Sequence, residues 1–177
     1  MMKTIILLTS TVQHQAPIAR LLLEHNPELR VCCARNERDL TSIEPDVLRE
    51  ARLVSFATDI AVPEKILLQL GYDAYKFHAV PLRYLGLLPP PADEDDADCI
   101  SAIAQSMAIW PDARKIVGLE TLTISNTTAE VERERLIFAR IAHLFWRMAS
   151  LIACNVVDLP GVIDHRASQR PAFALPN

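Results

Sequence analysis

The chain has 177 residues, of which 50% are apolar and 23% are charged, a composition typical of one soluble globular domain. Its formal net charge is −4, and five of the acidic residues lie in the single run 93–98. We therefore expect no nucleic-acid partner and no basic membrane-binding surface. The four cysteines form no CxxC or Cys/His cluster, which predicts buried, reduced thiols and no metal site.

The first half of the chain alternates short apolar runs with short helical patterns. Strands are predicted at residues 4–8, 29–34, 53–56 and 75–78. Helices are predicted from Pro17, over residues 45–50 and over residues 63–70, and the polar residues 35–42 are predicted as a loop. This alternation is typical of βαβ units, so we predict an α/β fold: a Rossmann-like, mostly parallel sheet with helices on both faces.

The second half of the chain departs from that alternation. Residues 87–98 hold three consecutive prolines and the acidic run, which predicts an exposed loop. Strands are predicted at 100–107 and 116–124, and a long amphipathic helix at 129–152. We predict one domain over residues 1–155 and a surface tail over residues 156–177. The short apolar run at the start is too brief for a signal peptide, and no 18-residue apolar stretch follows it, so a cytoplasmic protein is expected.

The stretch 74–86 is the strongest candidate for a functional site. It opens as a strand, carries His78 near the predicted strand end, and then reaches Pro81, Tyr84 and Gly86. A titratable residue at the carboxyl end of a parallel strand is a site candidate. The alternative is a structural histidine that bonds to nearby backbone.

The stretch resembles the amino-terminal catalytic domain of the formyltransferase family, which includes methionyl-tRNA and sugar N-formyltransferases. The family pattern is Asn-x-His, a proline-rich loop and Tyr-x-Gly, and it continues with a methionine and an aspartate five residues later. Met107 and Asp112 keep that spacing, and Asp112 follows His78 by 34 residues. The resemblance covers about residues 3–152.

The resemblance implies transfer of a formyl group from 10-formyltetrahydrofolate to a small-molecule amine. It implies that His78 and Asp112 are catalytic, and that Lys76 stands where the family has an asparagine. It also implies that the loop after the third strand lies on the folate side, and the residues concerned are Phe56, Ala57, Thr58, Asp59 and Ile60.

Lys76 is the main departure from the family pattern. The asparagine amide stabilises the developing oxyanion in these enzymes, whereas a lysine ammonium beside Asp112 would be drawn to that carboxylate. Arg114 and Lys115 also replace the usual Gly-Pro after the aspartate. Two readings therefore stay open: a formyltransferase with an altered active site, or an inactive binding or assembly module with the same fold.

A third reading is an unrelated nucleotide-binding α/β protein. It requires a glycine-rich phosphate loop, and the chain has only four glycines, all isolated. The sequence leaves open the identity of the amine and whether the chain forms a homo-oligomer.

Overall fold

The computed structural model describes residues 2–85, 97–110, 114–154 and 157–162. Its strands are β1 Thr4–Leu8, β2 Arg30–Ala34, β3 Ala51–Phe56, β4 Ala74–Pro81, β5 Ala97–Ser106 and β6 Ile116–Ser125. Its helices are α1 Gln15–His25, α2 Glu37–Thr41, α3 Pro45–Arg49, α4 Glu64–Leu67 and α5 Glu130–Cys154, with short 3₁₀ turns at Val12–His14 and Leu82–Leu85.

The strands of the described residues form one mixed sheet in the order β2-β1-β3-β4-β5-β6. The first four strands are mutually parallel, β5 is antiparallel to β4, and β6 is antiparallel to β5. The central strands β1 and β3 are buried throughout, as expected when helices cover both faces of a parallel sheet. The predicted α/β class is confirmed.

The long helix α5 covers one face of the sheet together with α1. Its apolar stripe includes Leu144, Phe145 and Met148, spaced so that they share one helical face. The ring of Phe145 contacts Phe56 at 5.4 Å and Phe77 at 5.0 Å between centroids, both edge-to-face. These contacts tie the end of β3 and the middle of β4 to the helix.

The same helix is long and apolar enough to span a membrane by length and composition, with 39% of its most apolar window buried inside the protein. A buried core helix passes that test equally well, and the apolar face of α5 packs on the sheet. The cellular compartment stays a prediction.

The predicted loop at residues 35–42 is wrong, because α2 lies within it. The Asn36 side chain accepts a hydrogen bond from Asp39 N at 2.9 Å and so caps the helix. Leu40 is fully buried against the sheet. One cap and one buried leucine suffice to order this polar segment.

Two element boundaries also differ from the prediction. Strand β4 continues past residue 78 to Pro81, because β5 pairs with it up to Pro81–Ile100. The predicted exposed loop over residues 87–98 ends earlier than expected, because Ala97 and Asp98 belong to β5. Residues 86–96 lie outside the described residues.

The turn after α4 depends on a close backbone approach. A Cβ atom at Gly71 would lie 1.7 Å from Arg49 O, so only glycine fits there. The predicted helix over residues 63–70 is reduced to α4, and the chain reaches Gly71, whose N–H bonds to Leu48 O, in a short turn.

The four cysteines are free, but none is buried as predicted. Cys33 and Cys154 are exposed, and Cys32 and Cys99 are partly buried. Burial and the neighbouring Cys32 raise the pKa of the Cys33 thiol, which keeps it in the less reactive thiol form.

The described residues after α5 return to the sheet. Leu159 is buried and its N–H donates to the Tyr75 hydroxyl at 3.0 Å. Val162 N–H donates to Ile116 O at 2.7 Å. The division into a domain over residues 1–155 and a tail over residues 156–177 stays a prediction.

Candidate active site

His78 lies where β4 loses its parallel neighbour. The pairing of β3 with β4 ends at Phe56–Phe77, and beyond it β5 is the only described strand that pairs with β4. Chain order also reverses within this sheet, since β1 lies between β2 and β3. Ligands of open α/β sheets bind at the carboxyl ends of the strands near such a switch point. His78 is therefore at the edge of the sheet where a ligand site is expected.

The His78 side chain is half-buried, and its Nε2 atom is buried without a hydrogen-bond partner among the described residues. Burial is the largest influence on its pKa and lowers it, and the nearby Lys76 ammonium lowers it further. Interactions with the Gln105 side chain and with Asp59 act in the opposite direction, but the net pKa stays below the ordinary 6.5. The imidazole is thus neutral at neutral pH.

Lys76 lies in the middle of a row of polar side chains that crosses three strands. Its Cα is paired with Ser55 on β3 and with Gln105 on β5. Because Tyr75 and Phe77 face α5, alternation places this row on the opposite face of the sheet. The Ser55 hydroxyl is buried and has no hydrogen-bond partner among the described residues, and Lys76 forms no ion pair with any of them.

The loop after β3 lies beside His78. Asp59 is exposed, and its charge acts on the imidazole. Thr58 is buried, and its hydroxyl accepts a hydrogen bond from Ile60 N at 3.3 Å. Among the five predicted folate-side residues, Phe56 belongs to the core cluster, where its ring is 2% exposed. Its side chain holds the loop in place.

Ala57 adopts a left-handed backbone conformation with φ of 45°. Its N–H donates to Phe77 O at 2.9 Å, which fixes this geometry where the two strands part. A left-handed conformation costs a residue with a Cβ atom about 1–2 kcal/mol. Such strain is concentrated at functional sites.

Replacing Ala57 with glycine is expected to raise the free energy of unfolding by about 0.5–1 kcal/mol, because relief of strain exceeds the added freedom of the unfolded chain. Urea denaturation measures the change. Ala51→Gly is the control, since Ala51 is a buried strand residue of β3 and should lose about 1 kcal/mol. Equal losses in both variants would contradict the assigned strain.

A cavity of about 430 Å³ lies beside His78, which is within the usual size range for a small-ligand site. One side is formed by the loop after β3 and by β4, and the other by the first half of α5. Its lining residues are Ala57, Thr58, Asp59, His78, Ala79, Glu134, Ile137, Phe138 and Ile141. A second cavity of about 440 Å³ shares Ala79 and Ile137 with it and continues towards β5.

Two other histidines have aromatic or charged partners. The His14 ring stacks on Phe138 at 4.5 Å between centroids and so lies next to this cavity. His143 is exposed and bonds to Glu120 at 2.9 Å. Gln105 was not singled out at all. It lies near the end of β5, a strand that also holds Asp98, Ser101 and Ser106, so no local pattern distinguishes it.

Asp112 lies outside the described residues, so its predicted meeting with His78 and Lys76 stays a prediction. Met107, five residues before it, partly packs in the core on the Lys76 face of the sheet, and Met107 N–H donates to Ala74 O at 2.7 Å. Within the described ranges, no group of three or more His, Cys, Asp or Glu side chains could hold a metal ion.

Comparison with known proteins gives no match for the sequence but clear matches for the structure. No family model matches the sequence, and no curated protein matches it. A 4-N formyltransferase from Francisella tularensis shares the fold with a TM-score of 0.57, over 83% of this chain and 67% of that one. The chain has the formyltransferase fold. A candidate sugar N-formyltransferase from Mycobacterium tuberculosis matches with a TM-score of 0.55, over 90% of this chain and 72% of that one.

The sequence identities to these two formyltransferase-fold proteins are 13% and 10%. Similarity at this level establishes the fold, while activity depends on the residues of the site.

Proposed function

We propose that this protein transfers a formyl group from 10-formyltetrahydrofolate to the amine of a small molecule. The observation that carries the proposal is His78: a neutral imidazole with a buried Nε2 free of partners in the described chain. The residue lies at the edge of the sheet and is one of those that line a cavity of about 430 Å³. The formyltransferase fold supports this choice of reaction.

The residues around the cavity fit a folate donor in size and polarity. Ile137 and Phe138 offer an apolar wall for a flat ring, and the backbone of residues 57–60 can bond to its polar edge. Ligand sites of this kind combine apolar walls with a few fixed polar groups. The folate supplies the formyl group, and the chain binds and orients it.

In the reaction the amine nitrogen bonds to the formyl carbon and loses a proton. The bond from that carbon to the donor nitrogen breaks, and the donor nitrogen takes up a proton, so that tetrahydrofolate leaves. A neutral imidazole can donate one hydrogen bond and accept another, so His78 can stabilise the tetrahedral species. Lys76 can stabilise the negative oxygen as a point charge, and Asp112 is proposed to orient His78 and share in the proton transfers.

Calorimetry with a stable formyl-folate, followed by formyl-transfer assays on a panel of primary amines, tests this function. Binding in the micromolar range with transfer to at least one amine is expected. Absence of folate binding at millimolar concentration would overturn the proposal.

The alternative function is an inactive module that binds without transfer, and Lys76 favours it. Lys76→Asn restores the side chain of the family pattern. If the site is catalytic, we expect the variant to transfer formyl groups about tenfold faster, since one well-placed oxyanion donor is worth at least that factor. Lys65→Asn, on α4, is the control and should leave the rate unchanged. A Lys76→Asn variant that shows no formyl transfer and an unchanged folate affinity would instead support the inactive module.

A further inference from the structure

Gln105 lies on β5 directly beside the two candidate residues of β4. Its Cα is paired with Lys76, and His78 is paired with Ile103, so Gln105 is a diagonal neighbour of His78. The side chains of Gln105, Lys76, His78 and Ile103 lie on the same face of the sheet. Ile103 is buried, and the other three are half-buried. A long side chain reaches its diagonal neighbour on such a ladder.

The ladder between β5 and β6 is irregular at Gln105. Ala104 is paired with Gly118, but Gln105 is paired with Ile116, so Val117 is an extra residue on β6. Bulges re-aim nearby side chains and are frequent next to active sites. Ile116 and Val117 are both buried, which fixes the backbone beside Gln105.

The chemistry of this corner favours an amide. Two charged groups act on His78, Lys76 on its own strand and Asp59 on the loop. Lys76 cannot accept a hydrogen bond, and Asp59 is exposed. A glutamine carbonyl can accept from an imidazole N–H without adding charge, and the interaction of Gln105 with His78 acts against the effect of burial.

We propose that Gln105 is a positioning residue that holds the His78 imidazole in one tautomer and one orientation. A fixed tautomer leaves the other ring nitrogen unprotonated and available to a reacting group. The contact itself is independent of the reaction, whereas its effect on rate rests on the proposed formyl transfer.

The test is ¹⁵N NMR of the imidazole at about pH 8, where the ring is neutral and its nitrogen shifts distinguish the tautomers. The wild-type protein is expected to show one tautomer for His78. Gln105→Leu should show a mixture and a further lowered pKa, because the interaction that raises the pKa is lost. If this variant does not fold, Gln105→Asn keeps the amide but withdraws it by one methylene group.

Ser101→Ala is the matched control. Ser101 lies on the same strand as Gln105 and is the other diagonal neighbour of His78, but its buried hydroxyl has no hydrogen-bond partner among the described residues. We expect His78 to show the same tautomer in Ser101→Ala as in the wild-type protein. Unchanged spectra in Gln105→Leu, or equal changes in both variants, would overturn the proposal.

Kinetics separate this role from the proposed function. If the wild-type protein transfers formyl groups, Gln105→Leu should lower kcat by about tenfold to a hundredfold with KM for the folate unchanged, as expected when a reacting group is misplaced. A tautomer change without any wild-type transfer would reject the function and leave the positioning role standing.

Discussion

Replacing His78 with alanine is expected to lower kcat/KM for formyl transfer by about a hundredfold to ten-thousandfold, the usual contribution of a positioned acid or base. The variant loses the neutral imidazole of a residue that lines the cavity, and the half-buried site tolerates the smaller side chain. The measurement is the rate of formyl transfer to the best amine found in the panel. Thermal unfolding should show a folded protein.

His25→Ala is the control for this variant, since His25 is an exposed residue at the end of α1. The pH dependence gives a second check. Because the pKa of His78 is below 6.5, the wild-type rate should be level through neutral pH and fall only as the pH drops through that lowered value. A wild-type rate that survives His78→Ala would show that His78 is a structural residue and contradict its proposed catalytic role.

Replacing Glu120 with glutamine is expected to lower the free energy of unfolding by about 1–3 kcal/mol. Glu120 lies on β6 with a side chain only 7% exposed. Its carboxylate accepts hydrogen bonds from His143 and Arg147 at 2.9 Å, and from Arg140 at 3.5 Å. These three residues lie on one face of α5, so Glu120 fixes the helix against the edge strand. Urea denaturation measures the loss.

The pH dependence of that loss identifies the cause. Burial of Glu120 opposes its ionisation, but the bonds from His143 and Arg147 outweigh it and lower the pKa below the usual 4.5. Its stabilisation is therefore complete above about pH 5 and disappears as the pH falls through the lowered pKa. Glu132→Gln, whose partner Arg135 is exposed and 3.6 Å away, should cost at most about 0.5 kcal/mol. Equal losses in the two variants would show that the cluster does not stabilise the fold.

Elements formed by local patterns were predictable. The buried run of β1 and the apolar stripe of α5 carry their own periodicity, and both lie where the sequence indicates. The end of β4 was not predictable, because the residues after His78 become strand only through pairing with β5. The short helix α2 was missed for a related reason, since a polar segment is ordered by one cap and by the burial of Leu40.

The candidate site, like the fold, could be predicted only in part from the sequence. The family resemblance proposed His78, Lys76 and the loop 56–60 as candidates, and the fold brings His78 next to that loop. Gln105, Ser55 and His14 were not identified, because their proximity depends on strand register and on ring packing against α5. Each of these contacts joins segments far apart in the chain.

The sequence by itself determined the α/β class, the long closing helix and the residue types available for chemistry, because these follow from periodicity and composition along a short stretch. Only the tertiary structure decided which polar side chains face His78. That choice depends on the register of β4 with β5 and on a single extra residue in β6. A shift of one residue in either ladder would turn Gln105 to the opposite face, and no local pattern fixes that register.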